Sequence, residues 1–190
     1  MTSSVQLNPD IVVRFAPSPN GLLHFGHAFA AMMAHDFARA RGGQFLLRIE
    51  DIDSGRSRPE FVTAILDDLR WLGLGWDGDV IFQSQRLDSY AAAAERLKAL
   101  ELLYPCFCSR SDMRLLQADG PQPEGPDGPI YAGTCRHLDP DQARKRATKE
   151  PHSWRLDVAK AAAITGPLQW MDERHGAQLS HPERLGDVIL

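Results

Sequence analysis

Along the first half of the chain, short apolar runs alternate with stretches whose apolar residues recur every three or four positions. Ile11-Val12-Val13 opens a run over residues 11–16 that reads as a buried strand. Phe25, Phe29, Met32 or Met33, and Phe37 then recur at helical spacing, which predicts a helix over residues 25–41 closed by Gly42-Gly43. Gln44 to Ile49 is too short for a helix and reads as a parallel strand. Ser57 to Glu60 has the spacing of a capping box with Pro59 in the first turn, and Phe61, Ile65, Leu69 and Leu72 stripe the helix that follows, up to Gly73. Val80-Ile81-Phe82 predicts a third strand. Leu87, Tyr90, Ala94, Leu97 and Leu100 predict a third helix. This alternation predicts an α/β fold, a parallel sheet with helices on its faces.

The pattern then breaks. Residues 104–136 hold all three cysteines and five of the prolines, and 119–129 is almost only Gly, Pro, Asp, Glu and Gln, which predicts an exposed loop. With so few apolar residues this lobe needs a metal for a fixed structure. Residues 139–149 read as a polar helix, 154–158 and 168–172 as strands of a hairpin or small sheet, and 185–190 as the beginning of another strand. Three segments result: 1–103, an insertion over 104–137, and a mixed α/β segment over 138–190.

Composition narrows the class. The 190 residues are 43% apolar and 24% charged, as in soluble globular proteins. A net charge of −4 excludes a polycation, so RNA would have to meet a local basic patch. Three cysteines do not make a disulfide scaffold and point to a reducing compartment or a metal site. Met1 to Asp10 lacks the apolar core of a secretory signal, and no run approaches a membrane span. The expectation is a cytoplasmic protein with no membrane partner, and a monomer.

The densest chemistry lies between the first strand and the first helix, Arg14-Phe-Ala-Pro-Ser-Pro-Asn-Gly-Leu-Leu-His-Phe-Gly-His27. Two prolines stiffen the loop and Asn20-Gly21 turns it. The free N–H groups of a helix start suit a phosphate, and Gly26 lets a flat ring or phosphate approach. His24 and His27 share one face of the first turn and can donate to a phosphoryl group that gains charge. Alone, they read first as ordinary, partly exposed helix-start histidines. Arg14 and Ser18 follow the first strand and Glu50 the second, so all three are expected to face one crevice at the strand ends. A guanidinium fork for a carboxylate and an acid for an ammonium group make an amino-acid clamp, unless Arg14 and Glu50 pair with each other. Cys106-x-Cys108 and, after a 26-residue interval, Cys135-x-His137 offer four ligands suited to tetrahedral zinc, the alternative being three unconnected thiols.

The run Arg-Phe-Ala-Pro-Ser-Pro-x-Gly-x-x-His-x-Gly-His resembles the first signature of class I aminoacyl-tRNA synthetases, glutamyl branch. Arg48-Ile-Glu-Asp-Ile-Asp53 is similar to that branch's Arg-Ile-Glu-Asp-x-Asp run. Tyr104-Pro-Cys-Phe-Cys-Ser-Arg and Gly128-Pro-Ile-Tyr-Ala-Gly-Thr-Cys-Arg136 resemble the glutamyl-Q tRNA(Asp) synthetase family, the short paralogues of glutamyl-tRNA synthetase. Trp71 to Gly78 and Phe82 to Tyr90 extend the likeness over nearly the whole chain.

The resemblance implies a Rossmann-like catalytic half with a small zinc-bearing lobe, and an ATP-dependent ligase that activates L-glutamate, with Mg2+ accompanying ATP. The glutamyl group of the adenylate would pass to the queuosine base in the anticodon loop of tRNA(Asp). It implies His24 and His27 as catalytic residues, His24, Gly26 and His27 at ATP, and Arg14, Ala16, Ser18 and Glu50 at glutamate. It implies a structural zinc on Cys106, Cys108, Tyr131 and Cys135. Larger glutamyl synthetases use a Cys-x-His arrangement, so Tyr131 and His137 both stand as the fourth ligand. The family's Lys-Met-Ser-Lys-Ser loop is not among these residues, and Lys145 to Lys149 lies too early and in a polar helix to be it. The expectation is an N-terminal half that turns over weakly or not at all alone. The competing readings are a fragment of a discriminating glutamyl-tRNA synthetase, and a non-catalytic zinc-bearing RNA-binding module using Arg136, His137, Arg144, Lys145, Arg146 and Lys149.

Overall fold

The computed structural model describes residues 10–109, 111–112, 123–126 and 128–190. The polar start of the chain (1–9) and parts of the expected loop (119–122 and residue 127) lie outside the described residues. Two compact units divide between Ser89 and Tyr90.

The first unit runs β1 (Val12–Phe15), α1 (Phe25–Ala40), β2 (Gln44–Ile49), α2 (Pro59–Trp71) and β3 (Ile81–Phe82). Its strands are parallel in the order β1-β2-β3. Strict alternation along β2 sets the faces: Phe45, Leu47 and Ile49 are fully buried, while Gln44, Leu46 and Arg48 are half-exposed. The buried face receives Ala31 and Ala38 of α1 and Ile65 and Leu69 of α2. The two helices therefore share one face, where the sequence reading had helices on both. Strands laid down consecutively through right-handed crossovers leave no other place for them. In register, Arg14 sits beside Leu46 and Phe15 beside Leu47. Arg14, Leu46 and Arg48 thus belong to the face opposite the helices.

The turn into β2 depends on Gly43. A Cβ there would stand 2.3 Å from Cγ2 of Ile11, too close for any side chain. Asp77, in the loop after α2, accepts from Arg39 of α1 (2.7 Å) and from the Phe45 N–H of β2 (2.8 Å), and so fastens helix to sheet. The start of α2 differs from expectation. Its N-cap is Arg58, with extended backbone and no side-chain cap, so Ser57 and Glu60 form no capping box. Pro59 at the first helical position, its φ already set for a helix, begins the helix instead.

Helix α3 (Leu87–Ala99) leads into the second unit, where β4 (Leu103–Cys106) pairs antiparallel with β7 (Ser153–Leu156). Between them lie β5 (Glu124–Gly125), paired with β6 (Gly128–Pro129), and helix α4 (Pro140–Ala147). After β7 come α5 (Val158–Thr165) and the hairpin of β8 (Gln169–Asp172) and β9 (Gly176–Leu179). The segments 154–158 and 168–172 are thus not partners of each other. Asp157 accepts the Lys160 N–H at 2.9 Å and caps α5, which turns Val158 into a helical residue. The expected last strand is reduced to a single bridge between Ile189 and Arg155. No helix among the described residues is long and apolar enough to cross a membrane.

Leu47 belongs to the core cluster that residues of both helices join, and it has no solvent exposure. Leu47→Ala is expected to cost about 2–5 kcal/mol, read as a lower urea midpoint at unchanged slope. A shift equal to that of an exposed leucine such as Leu22 would contradict the one-sided core.

Candidate functional site

The loop from Ala16 to Asn20 is held from both sides. Proline supplies no N–H, but the Pro17 carbonyl accepts the Glu50 N–H and the Pro19 carbonyl accepts the Arg58 N–H, each at 3.0 Å. Pro19 is fully buried. The loop is therefore tied to the end of β2 and to the start of α2.

Beyond the loop, α1 opens with a reciprocal cap made by two imidazoles. His24 is the N-cap, and its Nδ1 accepts the Gly26 N–H at 3.1 Å. His27 reaches back, its Nδ1 accepting the His24 N–H at 3.3 Å. The ring centroids are 3.9 Å apart. An imidazole that accepts at Nδ1 carries its proton on Nε2, so each ring keeps one N–H donor for a further partner. Partial burial and the neighbouring His24 hold the His27 pKa below its ordinary 6.5. A Cβ at Gly26 would stand 3.1 Å from Cε1 of His24, so the flat ring that approaches this glycine is the chain's own His24.

Ser18 and Glu50 meet at a cavity of about 360 Å3, which Asn20, Asp53, Arg56 and Gln83 also line. Arg14, Ala16, His24, Gly26 and His27 are not among its lining residues. Arg14 is exposed on β1. Glu50 pairs with Arg48 at 2.5 Å, and the Arg48 Nε is buried with no hydrogen-bond partner among the described residues. The sequence reading passed over Arg48; period-two alternation, which puts residues 48 and 50 on one side of β2, was the available signal. Asp51 accepts both the N–H and the hydroxyl of Ser84, at 2.9 and 2.6 Å, joining the segments that follow β2 and β3. Asp53 accepts from the Arg56 guanidinium at 2.6 Å, and that bond holds its carboxyl below the usual range.

A separate cluster occupies the second unit. The sulfurs of Cys106, Cys108 and Cys135 lie within 4.8 Å of one another and can hold a metal ion. The Tyr131 hydroxyl is 3.5 Å from the sulfurs of Cys106 and Cys108, and Cys108 is 3.6 Å from Cys135. His137 is exposed, outside that group of ligand atoms. Backbone donors surround the cluster: Cys135 N–H to the Tyr131 oxygen (2.8 Å) and Phe107 N–H to the Cys135 sulfur (3.4 Å). Burial and the neighbouring thiols push the Cys108 thiol up to about 11. Cys106 moves the other way: burial alone would raise it, but its hydrogen bonds with Tyr131 and Arg155 hold it below its ordinary value.

A family model described as tRNA synthetases class I (E and Q), catalytic domain, matches residues 10–190. A glutamyl-Q tRNA(Asp) synthetase of Rhodobacter capsulatus is 48% identical over 187 residues, 95% of this chain and 66% of its own length. One of Symbiobacterium thermophilum is 48% identical over 83% of this chain and 53% of its own. This chain therefore spans between about half and two thirds of the length of these relatives. Among solved structures, a glutamate tRNA ligase from Elizabethkingia meningosepticum in complex with its amino acid superposes with a TM-score of 0.71 at 26% identity, over 95% of this chain and 38% of that one. With the sheet, the histidine cap and the strand-end carboxylate in place, the chain belongs to the class I glutamyl and glutaminyl tRNA synthetase family, of which it carries catalytic-domain sequence.

Proposed function

We propose that this chain supplies the ATP and glutamate grip of a glutamyl-Q tRNA(Asp) synthetase, whose whole protein forms glutamyl-adenylate and passes the glutamyl group to the queuosine base of tRNA(Asp). The observation that carries the reading is the reciprocal cap of His24 and His27. With both Nδ1 atoms committed to backbone N–H groups, both rings present neutral Nε2–H donors beside the helix start. Neutral donors at that place meet the α-phosphate and strengthen as charge develops on it, which is where catalysis gains. Gly26 belongs to this grip because it lets the His24 ring fold back. Arg14 and Ser18 would take the glutamate carboxylate, Glu50 its ammonium group, and Ala16 the wall between them. The Arg48 partner orients Glu50 in advance. Glutamate itself is the nucleophile and needs no protein base, so the residues position and stabilise charge. Mg2+ would accompany the ATP phosphates. The likeness of 48% to glutamyl-Q relatives, against 38% to the glutamate–tRNA ligase of Prochlorococcus marinus, supports the short paralogue over the larger synthetase.

We also propose a structural zinc on Cys106, Cys108, Tyr131 and Cys135. Bond lengths of about 2.3 Å to sulfur and 2.0 Å to oxygen set tetrahedral edges of about 3.5 Å between S and O and about 3.8 Å between S and S. The separations of 3.5, 3.5 and 3.6 Å fit that frame. Four protein ligands leave no open position, so the ion would hold the lobe together and supply no chemistry to the reaction.

A stable sulfamoyl analogue of glutamyl-adenylate should bind the 190-residue chain in calorimetry and be displaced by ATP. Glu50→Gln and His27→Ala should each weaken it about tenfold or more, the loss of one charge-assisted hydrogen bond. Unchanged affinity in both variants would sink the assignment. With the whole protein, labelled glutamate should enter tRNA(Asp) that carries queuosine and not tRNA(Asp) that lacks it.

The histidine cap makes a second prediction. The folded His27 takes up its proton at lower pH than the ordinary 6.5. Its contribution is therefore complete above that value and is lost as pH falls through the folded pKa. Nitrogen-15 NMR of the imidazoles should show the Nε2–H tautomer at neutral pH and a His27 midpoint below 6.5. A midpoint above it, or the other tautomer, would overturn the cap.

A further inference from the structure

Among the described residues, Arg155 and Asp187 are the charged residues that burial removes from water, with 7% and 4% exposure. They do not neutralise each other directly. The Asp187 carboxylate is taken by the Tyr104 hydroxyl (2.5 Å), by Arg136 (3.0 Å) and by the Val158 N–H (3.1 Å). Arg155 receives from Asp187 only the backbone carbonyl, through Nη1 at 2.5 Å. Its other partners belong to the cysteine cluster. Nε donates to the sulfur of Cys106 at 3.3 Å, and the guanidinium lies 3.9 Å from the centre of the Tyr131 ring. A buried guanidinium without a carboxylate of its own is costly unless another negative group answers it. Three thiolates and a phenolate around a dication leave a surplus of negative charge at that place.

We propose that Arg155 is the outer support of the metal centre, holding Cys106 in its ligating geometry and balancing the negative charge of the ligand set, an inference that rests on the zinc reading above. The planar fork explains why arginine stands here. Nε reaches the sulfur while Nη1 reaches the Asp187 carbonyl, so the ligand is braced against the segment beside β7. A lysine carries the same charge but cannot span both acceptors in one plane. Outer partners of metal ligands are commonly worth about 10–100-fold in metal affinity.

The test uses the whole chain and three proteins: wild type, Arg155→Met and Arg155→Lys. Zinc content is measured by mass spectrometry, and affinity by competition with a chromophoric chelator. Cobalt is then substituted and the thiolate-to-metal charge-transfer band recorded. Wild type should hold one zinc. Arg155→Met should hold it about 10–100-fold more weakly, and its cobalt band should move to lower energy, because a sulfur that loses an N–H donor gives up its electrons more easily. Arg155→Lys should recover part of the affinity and little of the band position. If Arg155→Met does not fold, the band of Arg155→Lys decides: a shift toward lower energy supports the role, and a wild-type band overturns it. A wild-type chain that takes up no zinc overturns the metal reading and this inference together. A wild type that holds zinc, with folded variants matching it in affinity and band, overturns the role of Arg155 alone.

Discussion

Two proline carbonyls set the geometry around which the first unit is arranged. Pro17 and Pro19 cannot donate, so each can join its surroundings only as an acceptor, and each does, taking the N–H of Glu50 and of Arg58. One bond places the carboxylate at the end of β2 relative to the loop. The other places the first turn of α2. Between them the chain from Ala16 to Asn20 has little freedom left, and Ser18 is delivered to the same cavity as Glu50. A more flexible loop would have to be ordered by its ligand at the expense of affinity.

The two sides of the sheet divide the labour. The side with Phe45, Leu47 and Ile49 is sealed by both helices and carries the stability. The other side carries Arg14 and Arg48, and at its rim Glu50. Charges of both signs sit there: Arg14 is exposed, while Arg48 and Glu50 are partly buried and pair with each other. In the second unit buried charges gather around β7, on which Arg155 stands. Arg155 joins the Cys106 sulfur to the Asp187 backbone carbonyl, while the Asp187 carboxylate takes its counter-charge from Arg136.

The strands and helices of the first unit were legible because their periodicities are local. β2 was bounded at Gln44 and Ile49 from its apolar run, and α1 began at Phe25 and ended at the paired glycines. The cap of α1 was legible in principle and was missed. His-x-x-His has the same spacing as the capping box, and that spacing was assigned instead to Ser57 and Glu60, where proline does the work. Sheet pairing in the second unit was not legible. Leu103 joins Leu156 and Cys106 joins Ser153 across a lobe whose apolar content is low, and no period records that choice. Arg155 and Asp187 gave no sign either, since a buried charge looks like a surface charge until its partners are known. The cysteine spacing suggested a ligand set but left its fourth member open. The Tyr131 hydroxyl lies against two sulfurs, while His137 stands apart.

The partners of Asp187 lie at positions 104, 136 and 158, the first of them 83 residues away along the chain. During synthesis the first unit can assemble from neighbouring segments as they emerge, each crossover packing onto the strand before it. The second unit must wait. Until residue 187 has left the ribosome, Tyr104 and Arg136 lack their acceptor, and the guanidinium of Arg155 lacks the carbonyl that braces it. The cysteines would spend that interval as exposed thiols, so the order of translation leaves the cysteine lobe later than the first unit in becoming resistant to proteases and oxidants.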